Sequence, residues 1–109
     1  MLSAKTGKAT LLETEGVAFP LGIVEFADYE ETKLLLESGD VIIFYTDGIV
    51  EAMNKKEDMY GFDRFIEVIN ENQGLDAETF LEKLIEDVNS FVGKAEQHDD
   101  LTIVVIKVE

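Results

Sequence analysis

The chain of 109 residues is 46% hydrophobic and has a formal net charge of −15, so we expect a single folded domain with a modest core. This charge excludes nucleic acids and anionic membrane surfaces as partners, because their phosphates would be repelled. The absence of cysteine excludes a disulfide framework, a thiolate metal site and a thiol nucleophile, which fits a reducing cytoplasm.

The first forty residues contain weak strand signals separated by turns. Residues 1–10 lack the apolar core of a secretory signal, and no later stretch is long enough to cross a bilayer, so we expect a soluble, cytoplasmic protein. Residues 9–13 are a weak strand candidate, and residues 16–22, with the single proline, predict a turn-rich connection. Residues 32–36 predict a short strand, which a turn at residues 37–40 joins to the next strand as a hairpin.

That next strand has the clearest strand pattern in the chain. Residues 41–46 are rich in β-branched and aromatic side chains and end directly before Asp47. Residues 101–108 predict a further strand, which begins directly after Asp99 and Asp100. If the two strands are adjacent and antiparallel, the end of the first and the start of the second meet at one edge of the sheet. The carboxylates of Asp47 and Asp99 would then be near neighbours.

Between these strands, apolar residues recur at helical spacing. Asp63 favours the start of a first helix, and Gly74 ends that segment. Asp76 predicts the N-cap of a second helix, which Gly93 closes. The apolar positions are Phe62, Phe65, Ile66 and Ile69 in the first helix, and Ala77, Phe80, Leu81, Leu84, Ile85, Val88 and Phe91 in the second. The predicted fold class is therefore α+β, with antiparallel sheet layers flanked by two amphipathic helices.

Carboxylates at adjacent strand ends are typical of sites for hard cations. Two neighbouring carboxylates repel, and each is pushed toward protonation unless a cation or a basic side chain neutralises it. No lysine or arginine closely flanks Asp47 or Asp99. Mg²⁺ and Mn²⁺ prefer oxygen ligands and retain several waters, which suits such a site. The alternative is that Asp47 and Gly48 form a turn while Asp99 and Asp100 lie in a solvated loop, and spacing alone leaves both interpretations open.

Other catalytic and binding motifs are missing from the sequence. The glycines do not form a phosphate-binding loop, and the acidic stretch at residues 54–63 lacks the ligand spacing of a calcium-binding loop. No serine nucleophile set is present. We interpret the single histidine, His98, as a partly exposed neighbour or hydrogen-bond partner of Asp99 rather than as a ligand or a general base.

Three segments in a fixed order resemble a known family. They are GDVIIFYTDGIVEA at residues 39–52, YGFDRF at residues 60–65 and QHDDLTIVV at residues 97–105. Together they closely resemble the C-terminal half of the SpoIIE-like metal-dependent protein phosphatases, within the protein phosphatase 2C superfamily. Residues 16–23 also resemble the family's connection ahead of its central hairpin. The resemblance extends over nearly the whole chain from about Gly7.

The resemblance implies an α/β/β/α sandwich with two Mn²⁺ or Mg²⁺ ions at one end. In such enzymes a hydroxide held between the metals attacks the phosphorus of a phosphoserine or phosphothreonine directly. By residue match, Asp47 and Asp99 are the metal ligands, and no catalytic residue is implied beyond them. Three further residues would support the site: Gly48 by allowing close backbone approach, Asp100 as a structural neighbour, and Thr102 by holding the loop.

One part of the family pattern is missing. The family's catalytic centre also needs an earlier Gly-Asp-x-Ser-Gly-His-Gly type motif, which Gly39 and Asp40 match only superficially. We therefore expect residues 1–109 to be a single partial domain, the C-terminal portion of a phosphatase domain. Its unpaired strand edges and apolar faces would favour pairing with the missing N-terminal half or self-association. With only two of the usual carboxylates, the isolated chain is expected to be inactive or nearly so.

Three functions compete. The leading hypothesis is part of a bacterial signalling phosphatase that acts on a phosphoserine protein, such as an anti-sigma-factor antagonist. The alternative is a noncatalytic phosphatase-like module that binds other proteins. A third hypothesis is an acidic structural domain without a metal site, for which Asp47→Asn and Asp99→Asn would change no measured property.

Overall fold

The computed structural model describes residues 1–12, 25, 33–96 and 100–109. Within these ranges the elements are, in order, β1 (Val41–Tyr45), α1 (Asp47–Val50), α2 (Phe62–Glu71), α3 (Ala77–Val92) and β2 (Ile103–Lys107). β1 and β2 pair antiparallel as a two-stranded sheet. The predicted α+β class, the antiparallel pairing and the two amphipathic helices are therefore confirmed.

The two faces of the sheet have different surroundings. The inner face, which meets the helices, consists of the register pairs Val41 with Lys107, Ile43 with Val105, and Tyr45 with Ile103. The outer face consists of the pairs Ile42 with Ile106 and Phe44 with Val104. Because successive side chains point to opposite faces, a single register decides both sets. On the outer face, Phe44, Val104 and Ile106 are 59%, 47% and 46% exposed, so this face is an open apolar surface.

Helices α2 and α3 cover the inner face because their apolar residues recur every three or four positions. Phe65 of α2 is buried, and its ring contacts the ring of Tyr45 edge-on, with the centroids 4.8 Å apart. α3 contributes Phe80, Leu84 and Val88, which lie one turn apart and are all buried. The core therefore lies between the inner face and these two helices.

The boundaries of α3 are those predicted from the sequence. Asp76 is the N-cap, and its Oδ1 accepts a hydrogen bond from the Thr79 N–H at 2.7 Å. This bond holds the pKa of the Asp76 carboxyl below its usual range. Gly93 ends the helix with a φ of 61°, a left-handed conformation that glycine adopts without strain. In the described parts of the chain, no helix has both the length and the apolar character needed to cross a membrane.

Residues 1–10 form a turn that lies beside the start of β1. The Leu2 N–H donates to the Val41 carbonyl at 2.7 Å, and the Val41 N–H donates back to Leu2 at 2.9 Å. Leu2 also forms an isolated bridge with Ala9. The N-terminal turn therefore contacts the edge of β1 that is not paired with β2.

Asp40 joins this turn to the turn that precedes β1. Its buried carboxylate accepts hydrogen bonds from the N–H groups of Glu37 and Ala4, each at 2.8 Å. These bonds hold the pKa of the Asp40 carboxyl below its usual range. The side chain that superficially matches the family's missing motif is thus used to join two turns.

Two of the predicted strands are wrong. Residues 33–36 lie in no strand, and Leu35 is 95% exposed. Leu2, rather than this segment, pairs with β1 at Val41, so the hairpin is not formed there. In the strand candidate at residues 9–13, Ala9 forms only its isolated bridge, and residues 10–12 lie in no strand. Glu13 is outside the described residues. The predicted turn at residues 37–40 is confirmed by a hydrogen bond from the Asp40 N–H to the Glu37 carbonyl at 3.0 Å. The turn-rich connection predicted at residues 16–22 lies outside the described ranges.

Phe65→Ala tests this assignment of the core. Removal of the buried ring leaves a cavity beside Tyr45, so we expect the free energy of unfolding to fall by about 3–5 kcal/mol. The matched control is Phe62→Ala on the same helix, where the side chain is 37% exposed. Urea unfolding followed by circular dichroism measures both variants. Equal losses in the two would contradict the position of Phe65 at the centre of the core.

Candidate functional site

The end of β1 and the start of β2 meet in a junction of three hydrogen bonds. The Thr46 N–H donates to the Thr102 carbonyl at 3.0 Å. The Thr46 hydroxyl accepts from the Thr102 N–H at 3.2 Å and donates to the Asp100 carbonyl at 3.4 Å. Thr46 therefore ties the residue before Asp47 to the segment at residues 100–102.

Gly48 brings the two segments into direct backbone contact. A Cβ atom at this position would collide with the carbonyl oxygen of Asp100 and would lie 3.3 Å from Cδ2 of Leu101. Gly48 is buried in helix α1, so a side chain there has no free space to enter. Only glycine permits this approach, and the approach fixes the start of α1 against the residues that lead into β2.

Asp47 lies between Thr46 and Gly48 at this junction and is exposed to solvent. Among the described residues, the two side-chain ion pairs are Arg64 with Asp87 and Lys83 with Glu86, so neither neutralises Asp47. Asp47 also lies at the edge of a groove of about 340 Å³, which is lined by N-terminal residues, β1 and α2 and is mainly apolar. An exposed carboxylate that forms no ion pair with a described lysine or arginine is a candidate ligand for a hard cation.

The structure describes four of the five predicted site residues. Asp47, Gly48, Asp100 and Thr102 lie together at the junction. Asp99 and its neighbour His98 are outside the described residues, so the distance between the Asp47 and Asp99 carboxylates stays a prediction. Over the ranges that the structure describes, no group of three or more His, Cys, Asp or Glu side chains is arranged to hold a metal ion.

The opposite end of α1 is held by the loop that leads into α2. The Tyr60 N–H donates to the Ala52 carbonyl at 2.7 Å, and the Gly61 N–H donates to the Val50 carbonyl at 2.8 Å. Between the two helices, Asn54 stabilises the loop, because its Oδ1 accepts from two backbone N–H groups within it. Helix α1 is therefore fixed at both of its ends.

A partly buried polar cluster lies behind this loop, in which Tyr60 is buried while Arg64 and Asp87 are partly exposed. The Tyr60 hydroxyl donates to Oδ2 of Asp87 at 2.6 Å, and Arg64 makes two bonds to the same carboxylate at 3.1 and 3.2 Å. The bonds from Arg64 lower the pKa of the Asp87 carboxyl. Burial, and then the hydrogen bond to Asp87, raise the pKa of the Tyr60 hydroxyl.

Sequence reasoning missed two contributors to this arrangement. Thr46 is a hydroxyl residue between a strand and an Asp-Gly pair, and this position was the available signal for its hydrogen bonds to Asp100 and Thr102. The link from Tyr60 and Arg64 to Asp87 had no such signal, because the partners are 27 and 23 residues apart on different elements.

The chain as a whole matches a family model. The model of Stage II sporulation protein E (SpoIIE) matches residues 1–109. The chain therefore belongs to the SpoIIE family, a family of phosphatase 2C-like phosphatases that generally use Mn²⁺ or Mg²⁺. No curated protein and no solved structure matches the chain. The family resemblance seen in the three sequence segments is thus confirmed.

Gly48→Ala tests the backbone contact at the junction. The new methyl group would collide with the Asp100 carbonyl, so we expect the free energy of unfolding to fall by about 1–3 kcal/mol. The amide resonances of Thr46 and Thr102 should shift in the same variant, because their mutual hydrogen bonds must adjust. The control is Glu51→Ala, which changes an exposed residue directly after α1. Unchanged stability and unchanged resonances in Gly48→Ala would contradict the close approach.

Proposed function

We propose that the chain is the C-terminal portion of a metal-dependent protein serine/threonine phosphatase domain that hydrolyses a phosphoserine regulatory protein in bacterial signalling. Membership of the SpoIIE family supports the phosphatase class. The single observation in favour of the site is the junction at which Asp47 and the backbone of residues 100–102 meet. Asp99 directly precedes this backbone in the sequence.

The available donors suit Mn²⁺ or Mg²⁺ better than softer metals. The chain contains no cysteine and one histidine, so oxygen ligands from aspartate side chains and backbone carbonyls dominate. In the proposal Asp47 and Asp99 are the metal ligands. When bound, the ions would lower the pKa of water and would place positive charge opposite the phosphate. The proposal needs no catalytic side chain beyond the ligands.

The neighbouring residues would orient these ligands. Gly48 allows the backbone that carries Asp47 to lie against residue 100, and Thr46 hydrogen-bonds both Asp100 and Thr102. Asp100 and Thr102 would therefore support the position of Asp99 rather than bind metal themselves. A carboxylate oriented before the metal arrives loses less conformational freedom on binding.

The outer face of the sheet supports the proposal of a partial domain. Phe44, Val104 and Ile106 expose large apolar side chains on adjacent strands, a pattern typical of a sheet that packs against a further layer. In the proposed α/β/β/α sandwich, the second sheet would come from the N-terminal half of the domain. Without that half, self-association through the outer face is the alternative way to bury these side chains.

The proposed partners follow from this assignment. The substrate would be a phosphoserine-bearing regulatory protein such as an anti-sigma-factor antagonist, and the proposed compartment is the cytoplasm. The net charge of −15 disfavours nucleic acid and anionic membranes. A phosphoprotein substrate would need the metal charge to offset this repulsion at the site.

A noncatalytic interaction module is the second candidate function. It is favoured by one observation, which is that the outer face of the sheet exposes the large apolar side chains of Phe44, Val104 and Ile106. In this case the outer face would bind a protein partner, and the phosphatase-like fold would be retained without its chemistry.

Calorimetric titration with Mn²⁺ tests the metal site without a substrate. We expect the parent chain to bind Mn²⁺ and the double variant Asp47→Asn with Asp99→Asn to bind it more than about tenfold more weakly, because both proposed ligands are lost. The matched control is Asp58→Asn with Asp63→Asn, which removes two exposed carboxylates and changes the net charge equally. Equal weakening in both double variants would indicate nonspecific attraction, and no binding in the parent would favour the interaction module.

Phosphate release tests the proposal of an incomplete active site. We expect the isolated chain with Mn²⁺ and a phosphoserine protein to turn over far more slowly than about 1 s⁻¹, the lower end of the usual range for enzymes. The reason is that one bridging aspartate of the family's centre is not matched in this sequence. Metal-dependent release at ordinary enzymatic rates, lost in Asp47→Asn, would show that the chain is complete for catalysis.

A further inference from the structure

We infer that Tyr60, Arg64 and Asp87 are positioning residues, which fix helix α1 and so orient Asp47 from the side opposite the strand junction. The inference rests on the proposed function, because it gives Asp47 the role of a metal ligand. The three residues lie on the loop before α2, on α2 and on α3, and none of them lies next to Asp47 in the sequence.

The first step is the set of three hydrogen bonds that the Asp87 carboxylate accepts. Oδ2 accepts from the Tyr60 hydroxyl at 2.6 Å and from Nε of Arg64 at 3.1 Å, while Oδ1 accepts from Nη2 of Arg64 at 3.2 Å. Two parallel bonds from a planar guanidinium define a direction as well as a distance. Asp87, which lies on α3, therefore holds the Tyr60 side chain in a defined position against that helix.

The second step is the packing of the Tyr60 ring. Its ring meets the ring of Phe91 edge-on, with the centroids 5.5 Å apart. The guanidinium of Arg64 lies 5.2 Å from the centroid of Tyr60 and 5.0 Å from that of Phe91. These contacts restrict the rotation of the buried Tyr60 side chain. The position of its main chain is fixed as a result.

The third step connects Tyr60 to α1. The N–H groups of Tyr60 and Gly61 donate to the carbonyls of Ala52 and Val50 at the C-terminal end of α1. Helix α1 has four residues, which is too short to be stable without external contacts. Its orientation is therefore set by the contacts at its two ends, and Asp47 is its first residue.

Burial of Ile49 is the competing explanation. This side chain, in the middle of α1, is completely buried and would hold the helix against the core without the polar cluster. Apolar burial has little directional preference, whereas hydrogen bonds weaken steeply with angle. If Ile49 alone determines the position of α1, removal of the Tyr60 hydroxyl will have no selective effect on that helix.

Tyr60→Phe with amide hydrogen exchange measured by NMR separates the two explanations. The variant keeps the ring and removes only the bond to Asp87. We expect the amides of residues 51, 60 and 61 to lose roughly tenfold in protection, while those of β1 and Phe80 change much less. Lys83→Ala, which breaks an exposed ion pair on α3, is the matched control and should leave all of these amides unchanged.

Two results would overturn the inference. One is unchanged protection at residues 51, 60 and 61, and the other is an equal loss throughout the chain, which would indicate a general loss of stability. Arg64→Lys provides an independent variant, because lysine keeps the charge but cannot make both bonds to Asp87. It should produce the same selective pattern, and a uniform pattern in this variant would also count against the inference.

A second readout connects the cluster to the proposed metal site. Mn²⁺ should broaden the amide resonances of Asp47 and Gly48 in the parent chain, and Tyr60→Phe should need a several-fold higher Mn²⁺ concentration for equal broadening. Equal concentrations in the two proteins would overturn the link between the cluster and Asp47. If the parent shows no broadening, the proposed metal site fails, while the exchange measurement still decides whether the cluster positions α1.

Discussion

The antiparallel pairing of β1 with β2 is the constraint on which the other features of the structure depend. The two strands are separated by almost sixty residues, and their register places the end of β1 against the start of β2. The same register decides which side chains face the helices and which form the outer face. A slip of one residue would exchange these faces and would separate Thr46 from Thr102, so the core and the junction require the same register.

Close backbone approach at the junction depends on this pairing. The contact between Gly48 and the Asp100 carbonyl is possible only when both strands end at the same edge of the sheet. It brings two acidic segments together in a chain that already has a net charge of −15. The junction therefore places the exposed residue Asp47 beside the backbone of residues 100–102.

The polar cluster at Asp87 shows a different use of charge in the same fold. Its carboxylate is neutralised by Arg64 and serves to join the loop at Tyr60 to α3, whereas Asp47 is exposed and has no ion pair with a described lysine or arginine. One acidic residue is used within the scaffold and the other faces solvent. This difference in environment, rather than the residue type, separates a structural carboxylate from a candidate ligand.

The amino-acid sequence by itself determined the elements whose signals are local. The strand beginning at Val41, the cap at Asp76 and the end of α3 at Gly93 were predicted because alternation, capping and glycine conformation need no distant partner. It also placed Asp47 directly after a strand, and its three family segments identified the phosphatase class. Helix α1 was not predicted, since four residues carry no helical period.

Contacts between distant residues were decided only by the tertiary structure. The N-terminal turn, rather than residues 33–36, occupies the edge of β1 because Leu2 meets Val41 there. The bonds of Tyr60 to Asp87 and of Thr46 to residues 100–102 join segments 27 to 56 residues apart. The physical reason is that such contacts depend on how the elements pack, and a local pattern of side chains does not specify its partner.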